Sequence, residues 1–184
     1  MQKMKRTIIS WKGWMFVAAD VSGSNERQLV VFRVGDNEFG ISISVVREII
    51  NETKAVKLPR MPSFVVGVLN LRGSVVPVVD LAERLGMEGG AIEGESRKIL
   101  IVETGNNQAG YLVSAVTEVL RVPADSLEQP TRMLAGLDTG LVESICKLED
   151  RMFPVLGTEQ LLEMNQAQQL DAFVEESQEA VLQG

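Results

Sequence analysis

Apolar residues occur along this chain in short bursts of five to seven, separated by Gly, Asp, Asn and Pro rather than by long polar stretches. Bursts of that length, rich in Val and Ile and bounded by turn residues, predict strands rather than helices. Leu29 to Val34 and Glu38 to Ile43 read as one hairpin around Gly35, Asp36 and Asn37. Lys98 to Thr104 and Gln108 to Val113 read as a second, around Gly105, Asn106 and Asn107. Only brief helical turns such as Ala82 to Leu85 interrupt the pattern, which predicts an all-β body.

The two hairpins are copies of one another. Leu29 to Ile50 lies without gaps on Ile99 to Leu120 at an offset of seventy residues, matching Gly35 with Gly105, Gly40 with Gly110, Ser44 with Ser114, Val46 with Val116 and Glu48 with Glu118. The match resumes downstream, where Arg72 to Leu85 lies on Glu149 to Leu162 at an offset of seventy-seven, so that Pro77 falls on Pro154. A proline within an apolar strand cannot donate to a ladder and belongs at an edge or a bulge. Its recurrence in one place predicts two copies of a small barrel, divided near residue 90 into segments 28–90 and 91–162.

Outside residues 28–162 the pattern changes. Residues 1–27 read as a flexible tail ending in the linker Ser22, Gly23, Ser24 and Asn25, with the residues before Met15 dispensable for folding. After Thr158, a possible helix cap, Leu161, Leu162, Leu170, Phe173, Val174, Val181 and Leu182 recur at helical spacing, which predicts a C-terminal helix over 163–184.

Charge and composition narrow the function. A formal net charge of −7 argues against a surface that tracks phosphates, so no nucleic acid is expected and a protein partner is. The lone Cys146 cannot form an internal disulfide, and the apolar run Trp14 to Ala19 is too short for a secretory core or a membrane span; a cytoplasmic setting follows. There is no histidine, which removes the commonest general base and the usual zinc ligand. Cys146 lies in an alternating strand pattern and reads as a small core residue. The glycines of Gly86 to Glu95 match no phosphate loop, since the segment has no Lys and carries Glu88, Glu93 and Glu95. Asp80, Glu83, Glu48 and Glu118 read as solvated or strand-end carboxylates, because nothing sets two of them across a cleft. No catalytic residue, metal site or cofactor is expected. The rivals are a stand-alone peptide- or carbohydrate-binding barrel and a carboxylate-only hydrolase.

The stretch Gly67 to Leu81, GVLNLRGSVVPVVDL, resembles the CheW family of chemotaxis adaptors, whose motif Gly67, Asn70, Leu71, Arg72, Gly73, Pro77 and Asp80 match. LVVFRVGDNEFGISISVVREI and GYLVSAVTEVL resemble the openings of that family's two halves. The resemblance implies two five-stranded SH3-like barrels with a hydrophobic seam. It also implies a non-enzymatic adaptor between the cytoplasmic tip of a chemoreceptor and a CheA-type histidine kinase, meeting the membrane only through receptors. Receptor contact would fall on Val46, Glu48, Gly67, Asn70 and Arg72, and kinase contact near Gly110 and Val119. Ser114, Ala115 and Gly157 depart from the family pattern, all in the second half, which leaves room for a divergent paralogue in a pilus or other chemosensory system.

Several of these residues also have plain structural readings. Gly67 and Gly73 permit tight turns, Asn70 can cap one, and Val46, apolar in both copies, fits a core. Arg72 is different: its counterpart by offset is Glu149, so the barrel itself does not call for a cation at that position.

Overall fold

The computed structural model describes residues 7–11, 14–18, 25–87, 96–104, 107–130 and 141–158, of which 7–11, 14–18, 104 and 107 are described by backbone alone. Strands run over Thr7–Trp11 (β1), Trp14–Ala18 (β2), Glu26–Val34 (β3), Asn37–Ser42 (β4), Val46–Asn51 (β5), Val65–Leu71 (β6) and Ser74–Asp80 (β7). They continue over Lys98–Thr104 (β8), Asn107–Val113 (β9), Ala115–Pro123 (β10), Leu127–Glu128 (β11), Val142–Lys147 (β12) and Met152–Leu156 (β13). A single helical turn, Leu81–Arg84 (α1), follows β7. The expected C-terminal helix over 163–184 lies outside the described residues.

The predicted hairpins form with ends within one residue of those expected, except that β3 begins at Glu26, three residues before Leu29. Val34 pairs with Asn37, leaving Gly35 and Asp36 as the loop, and Gly35 takes φ 57°, which a residue without Cβ adopts at no steric cost. The two copies share their irregularities as well as their strands. β5 and β10 are both bulged, between Val46 and Glu48 and between Val116 and Glu118. β6 and β12 are bulged at equivalent places, between Val65 and Gly67 and between Val142 and Ser144.

The copies do not, however, fold side by side. One sheet has the order β10-β3-β4-β13-β12-β11 and the other β5-β8-β9-β7-β6. The five-stranded sheet is therefore built from the contiguous segment 46–113, while the six-stranded sheet closes from its two flanks, 26–42 and 115–156. The division expected near residue 90 is not a division between barrels. Each copy sends its first hairpin into one barrel and its third strand into the other, a register that a sequence repeat cannot reveal.

Both sheets close. β10 and β11 are consecutive, joined by the turn Ala124–Ser126, so the two ends of the six-stranded order are one bent strand. In the other barrel the chain beyond β5 returns to β6, where Val56 and Val68 exchange backbone hydrogen bonds of 2.9 Å in both directions. Counting each bent strand once gives two five-stranded SH3-like barrels.

Three apolar layers hold them together. Leu29, Val31, Val122, Cys146, Phe153 and Val155 fill the flanking barrel. Leu69, Val76, Val78, Ile99, Ile101 and Leu112 fill the inserted one. Between the barrels lies a larger seam that takes the alternate residues of the same strands, Val30, Phe32 and Val34 from β3 and Leu100 and Val102 from β8. Strands buried on both faces read as continuous apolar runs, which is why these two strands showed no clean alternation in the sequence.

Thr7–Trp11 and Trp14–Ala18, expected as part of a mobile tail, pair as antiparallel strands, with Trp11 opposite Trp14 and Thr7 opposite Ala18, and β1 runs alongside β5.

Because the flanking barrel cannot close without both flanks of the inserted one, unfolding should be a single cooperative transition. Calorimetry should give equal calorimetric and van't Hoff enthalpies; two resolved transitions would show independent barrels. Leu100→Ala, at a fully buried seam position, should cost about 2 to 5 kcal/mol in urea unfolding.

Candidate functional site

The hairpin β6–β7 ends in the tightest possible connection. Leu71 pairs with Ser74, leaving Arg72 and Gly73 at φ 51° and 91°. Two successive positive φ values are those of a type I′ turn, whose twist matches the flanking strands and whose first position favours Asn, Asp or Gly. Asn70 supports the turn from its side chain: its Oδ1 accepts a 2.9 Å hydrogen bond from the Gly73 N–H. An arginine in the left-handed region costs on the order of 1 kcal/mol. Its side chain is 81% exposed, and its Nη2 donates at 3.1 Å to Oε2 of Glu48, just beyond the β5 bulge. An exposed ion pair of this kind contributes about 0 to 1 kcal/mol. Stability alone therefore does not account for Arg72.

The other barrel supplies a control. Glu118, the repeat counterpart of Glu48, also meets a guanidinium from the neighbouring hairpin connection, that of Arg151 at 2.7 Å. Arg151 in addition lies 3.5 Å from Glu38 and stacks 5.7 Å above the Phe153 ring, and it is only 28% exposed. Bonding to Glu118 pushes its pKa further above the ordinary arginine value. The barrel thus does carry a cation at this place in both copies, contrary to the expectation drawn from Glu149. In one copy the cation sits on the shoulder of the turn and is locked down; in the other it sits at the tip and is presented.

Of the residues expected at a receptor surface, Glu48, Asn70 and Arg72 come together around the β6–β7 turn. Val46 does not: it is fully buried in the seam. Gly67 is buried at the barrel closure, with φ 149° and an ideal Cβ position 2.5 Å from the Val56 carbonyl oxygen, so its bareness serves the approach of two backbones. Gly110, on β9, is buried where a Cβ would lie 2.8 Å from Cγ2 of Ile99, and half-buried Val119, on β10, belongs to the other sheet. The structure does not bring those two together.

Asp80, Glu52 and Glu103 are engaged structurally. Asp80 caps α1, its Oδ1 accepting from the N–H groups of Ala82 and Glu83 at 3.0 and 3.3 Å, and its Oδ2 accepts from Arg97, which also binds Glu52. Glu103 receives Arg47 through two hydrogen bonds of 2.7 and 2.6 Å. Ser114, the repeat counterpart of Ser44, is buried and accepts the Gly35 N–H at 2.9 Å, tying the first hairpin to the start of β10. No single-sequence signal points to that contact. Among the described residues no three His, Cys, Asp or Glu side chains gather as a metal site, and no helix is long and apolar enough to cross a membrane.

The CheW-like domain family model matches residues 28–166. The chain belongs to the CheW-like family. It is 36% identical over 149 residues to the probable chemotaxis protein CheW of Rhizobium etli, covering 80% of this chain and 94% of that one. To the chemotaxis protein CheW of Rhizobium meliloti it is 38% identical over 127 residues, covering 68% and 81%. Among solved structures it is similar to the scaffolding protein TtCheW from Thermoanaerobacter tengcongensis, with TM-score 0.65 and 34% identity over 71% of this chain and 88% of that one. The residues that carried the family resemblance now have separate physical roles: Gly67 admits the barrel closure, Asn70 and Gly73 make the turn, Asp80 caps the helix, and Arg72 is left for the surface.

The two guanidinium sites should respond differently to truncation. Arg151→Ala removes contacts to two carboxylates and a ring, and should lower stability by about 1 to 2 kcal/mol, whereas Arg72→Ala should stay within about 0.5 kcal/mol of the parent in the same urea titration. Burial pushes the Cys146 thiol pKa up, so the native protein should react with a disulfide reagent only as fast as it unfolds; a rapid native reaction at pH 8 would place the thiol at the surface.

Proposed function

We propose that this chain is a non-enzymatic chemotaxis adaptor that couples the cytoplasmic tip of a chemoreceptor to a CheA-type histidine kinase. Family membership and the names borne by its relatives support an adaptor. The observation that carries the receptor side is Arg72, held at the tip of a type I′ turn in a backbone conformation unfavourable to it, while its functional equivalent in the other barrel is folded away. A residue kept against its local preference, exposed and already poised on a carboxylate, suits recognition of acidic or carbonyl groups on a partner helix. Glu48 and Asn70 complete that surface. Val46 and Gly67 act on it through packing. On the kinase side, Val119 is the accessible member of the pair, and Gly110 acts through the packing of β9.

Arg72→Gly separates the roles. Glycine accepts the left-handed turn position without strain, so this variant should melt at the same temperature or higher. Receptor affinity should nevertheless fall roughly tenfold to a hundredfold, the loss of a charge-assisted contact worth about 1.5 to 3 kcal/mol, with kinase affinity unchanged. Full-strength receptor binding by the variant removes Arg72 from the surface. Binding of neither partner at micromolar concentration by the parent protein removes the adaptor reading altogether.

A further inference from the structure

The outer faces of the two barrels are equivalent in backbone and differ in charge at two positions. In the flanking barrel, Glu128, Ile145 and Pro154 lie side by side across three strands, with Lys147 and Met152 in the next row. Lys147 Nζ reaches Oε1 of Glu128 at 3.7 Å, so a charge pair crosses this face. In the inserted barrel the equivalent row is Val56, Val68 and Pro77, followed by Asn70 and Val75. Residues directly opposite in antiparallel strands share a face, so the positions of Glu128 and Lys147 are here taken by Val56 and Asn70.

The result is an exposed apolar face with a cationic margin. Val56 is 64% and Val75 71% exposed, and Leu58 is exposed beside them. Lys54 lies two residues before Val56 and Lys57 between Val56 and Leu58, both exposed, and Arg72 stands at the end of the β6–β7 hairpin.

An occupant with the complementary chemistry is present in the same chain. The sequence holds 18 Lys and Arg against 25 Asp and Glu, and after Thr158 there are six acidic residues and no basic one. Residues 1–158 are thus left with 18 against 19, and nearly the whole net charge resides in residues 159–184. Leu170, Phe173, Val174 and Val181 recur there at helical spacing, with Asp171, Glu175, Glu176 and Glu179 between them. We propose that segment 159–184 seats its apolar stripe over Val56, Leu58 and Val75, its carboxylates facing Lys54, Lys57 and Arg72.

The segment is long enough: its 26 residues span about 39 Å as helix and up to about 86 Å extended, against a diameter on the order of 35 Å for a compact body of this size. Because Arg72 borders the seat, occupancy would also screen the surface assigned to the receptor, though the seat itself does not rest on that assignment.

A nitroxide attached at Ser177→Cys of the full chain tests this directly, Cys146 being buried. In the isotope-labelled protein at low salt, amide signals of Val56, Leu58 and Val75 should broaden. The broadening should fall severalfold in Lys54→Glu/Lys57→Glu, in Leu58→Ser and at 0.5 M salt, since exposed charge pairs are screened at that ionic strength. Broadening centred on the Glu128–Lys147 face or on residues 1–24, or no localised broadening, overturns the proposal. So does broadening that appears only when label and isotope are on different molecules, which would assign the seat to a second copy.

Discussion

The seam between the barrels is the constraint on which the remainder of the structure depends. β3 and β8 each send one set of side chains into their own barrel and the alternate set into the seam, so the central residues of neither strand face solvent. Small barrels bury little surface alone; here the layer between them is larger than either interior. Strand exchange follows the same logic. With β10 beside β3 and β5 beside β8, each barrel takes an element from the other copy, and the seam is crossed by covalent chain as well as by apolar contact.

Against so symmetric a frame, the differences between the copies become informative. Both connections, Leu71 to Ser74 and Leu148 to Arg151, have the same length, and both copies provide a carboxylate just after a bulge. What differs is where the cation stands. Arg151 is at the last position of its turn, from which its side chain can lie back over Phe153 between Glu38 and Glu118. Arg72 is at the tip, which leaves Glu48 as its neighbour and most of its surface in solvent. Moving a cation by two positions along a turn converts a structural clamp into a presented group without altering the barrel.

Much of this was legible in the sequence because it is local. The Gly35 and Arg72–Gly73 turns, the paired prolines and the offset of seventy each express a backbone requirement repeated within the chain. The partner of each strand was not legible. A repeat states that two segments are alike, not which sheet each joins, so the division near residue 90 followed naturally and was wrong about the barrels. Arg151 was missed for a related reason: alignment compares positions, whereas an ion pair requires only that a charge reach the place, and Arg151 reaches it from the position equivalent to Ser74. Glu48, Asn70 and Arg72 were singled out by the family resemblance, and the structure does set the Arg72 side chain beside Glu48 and Asn70 under its turn. Val46 and Gly67, singled out with them, are buried, one in the seam and one at the barrel closure.

Duplication of a barrel yields two surfaces with one geometry, and those surfaces can diverge without disturbing the seam. Substitution at outward positions achieves this, because barrel interiors and seam consume the inward and facing side chains and leave the outer rows free. The exchange of Glu128 and Lys147 for Val56 and Asn70 is of that kind, as is the shift of the cation from the position of Ser74 to Arg72. Neither change alters a buried residue. The backbone that made the repeat detectable is thus the same feature that lets its two faces carry different chemistry.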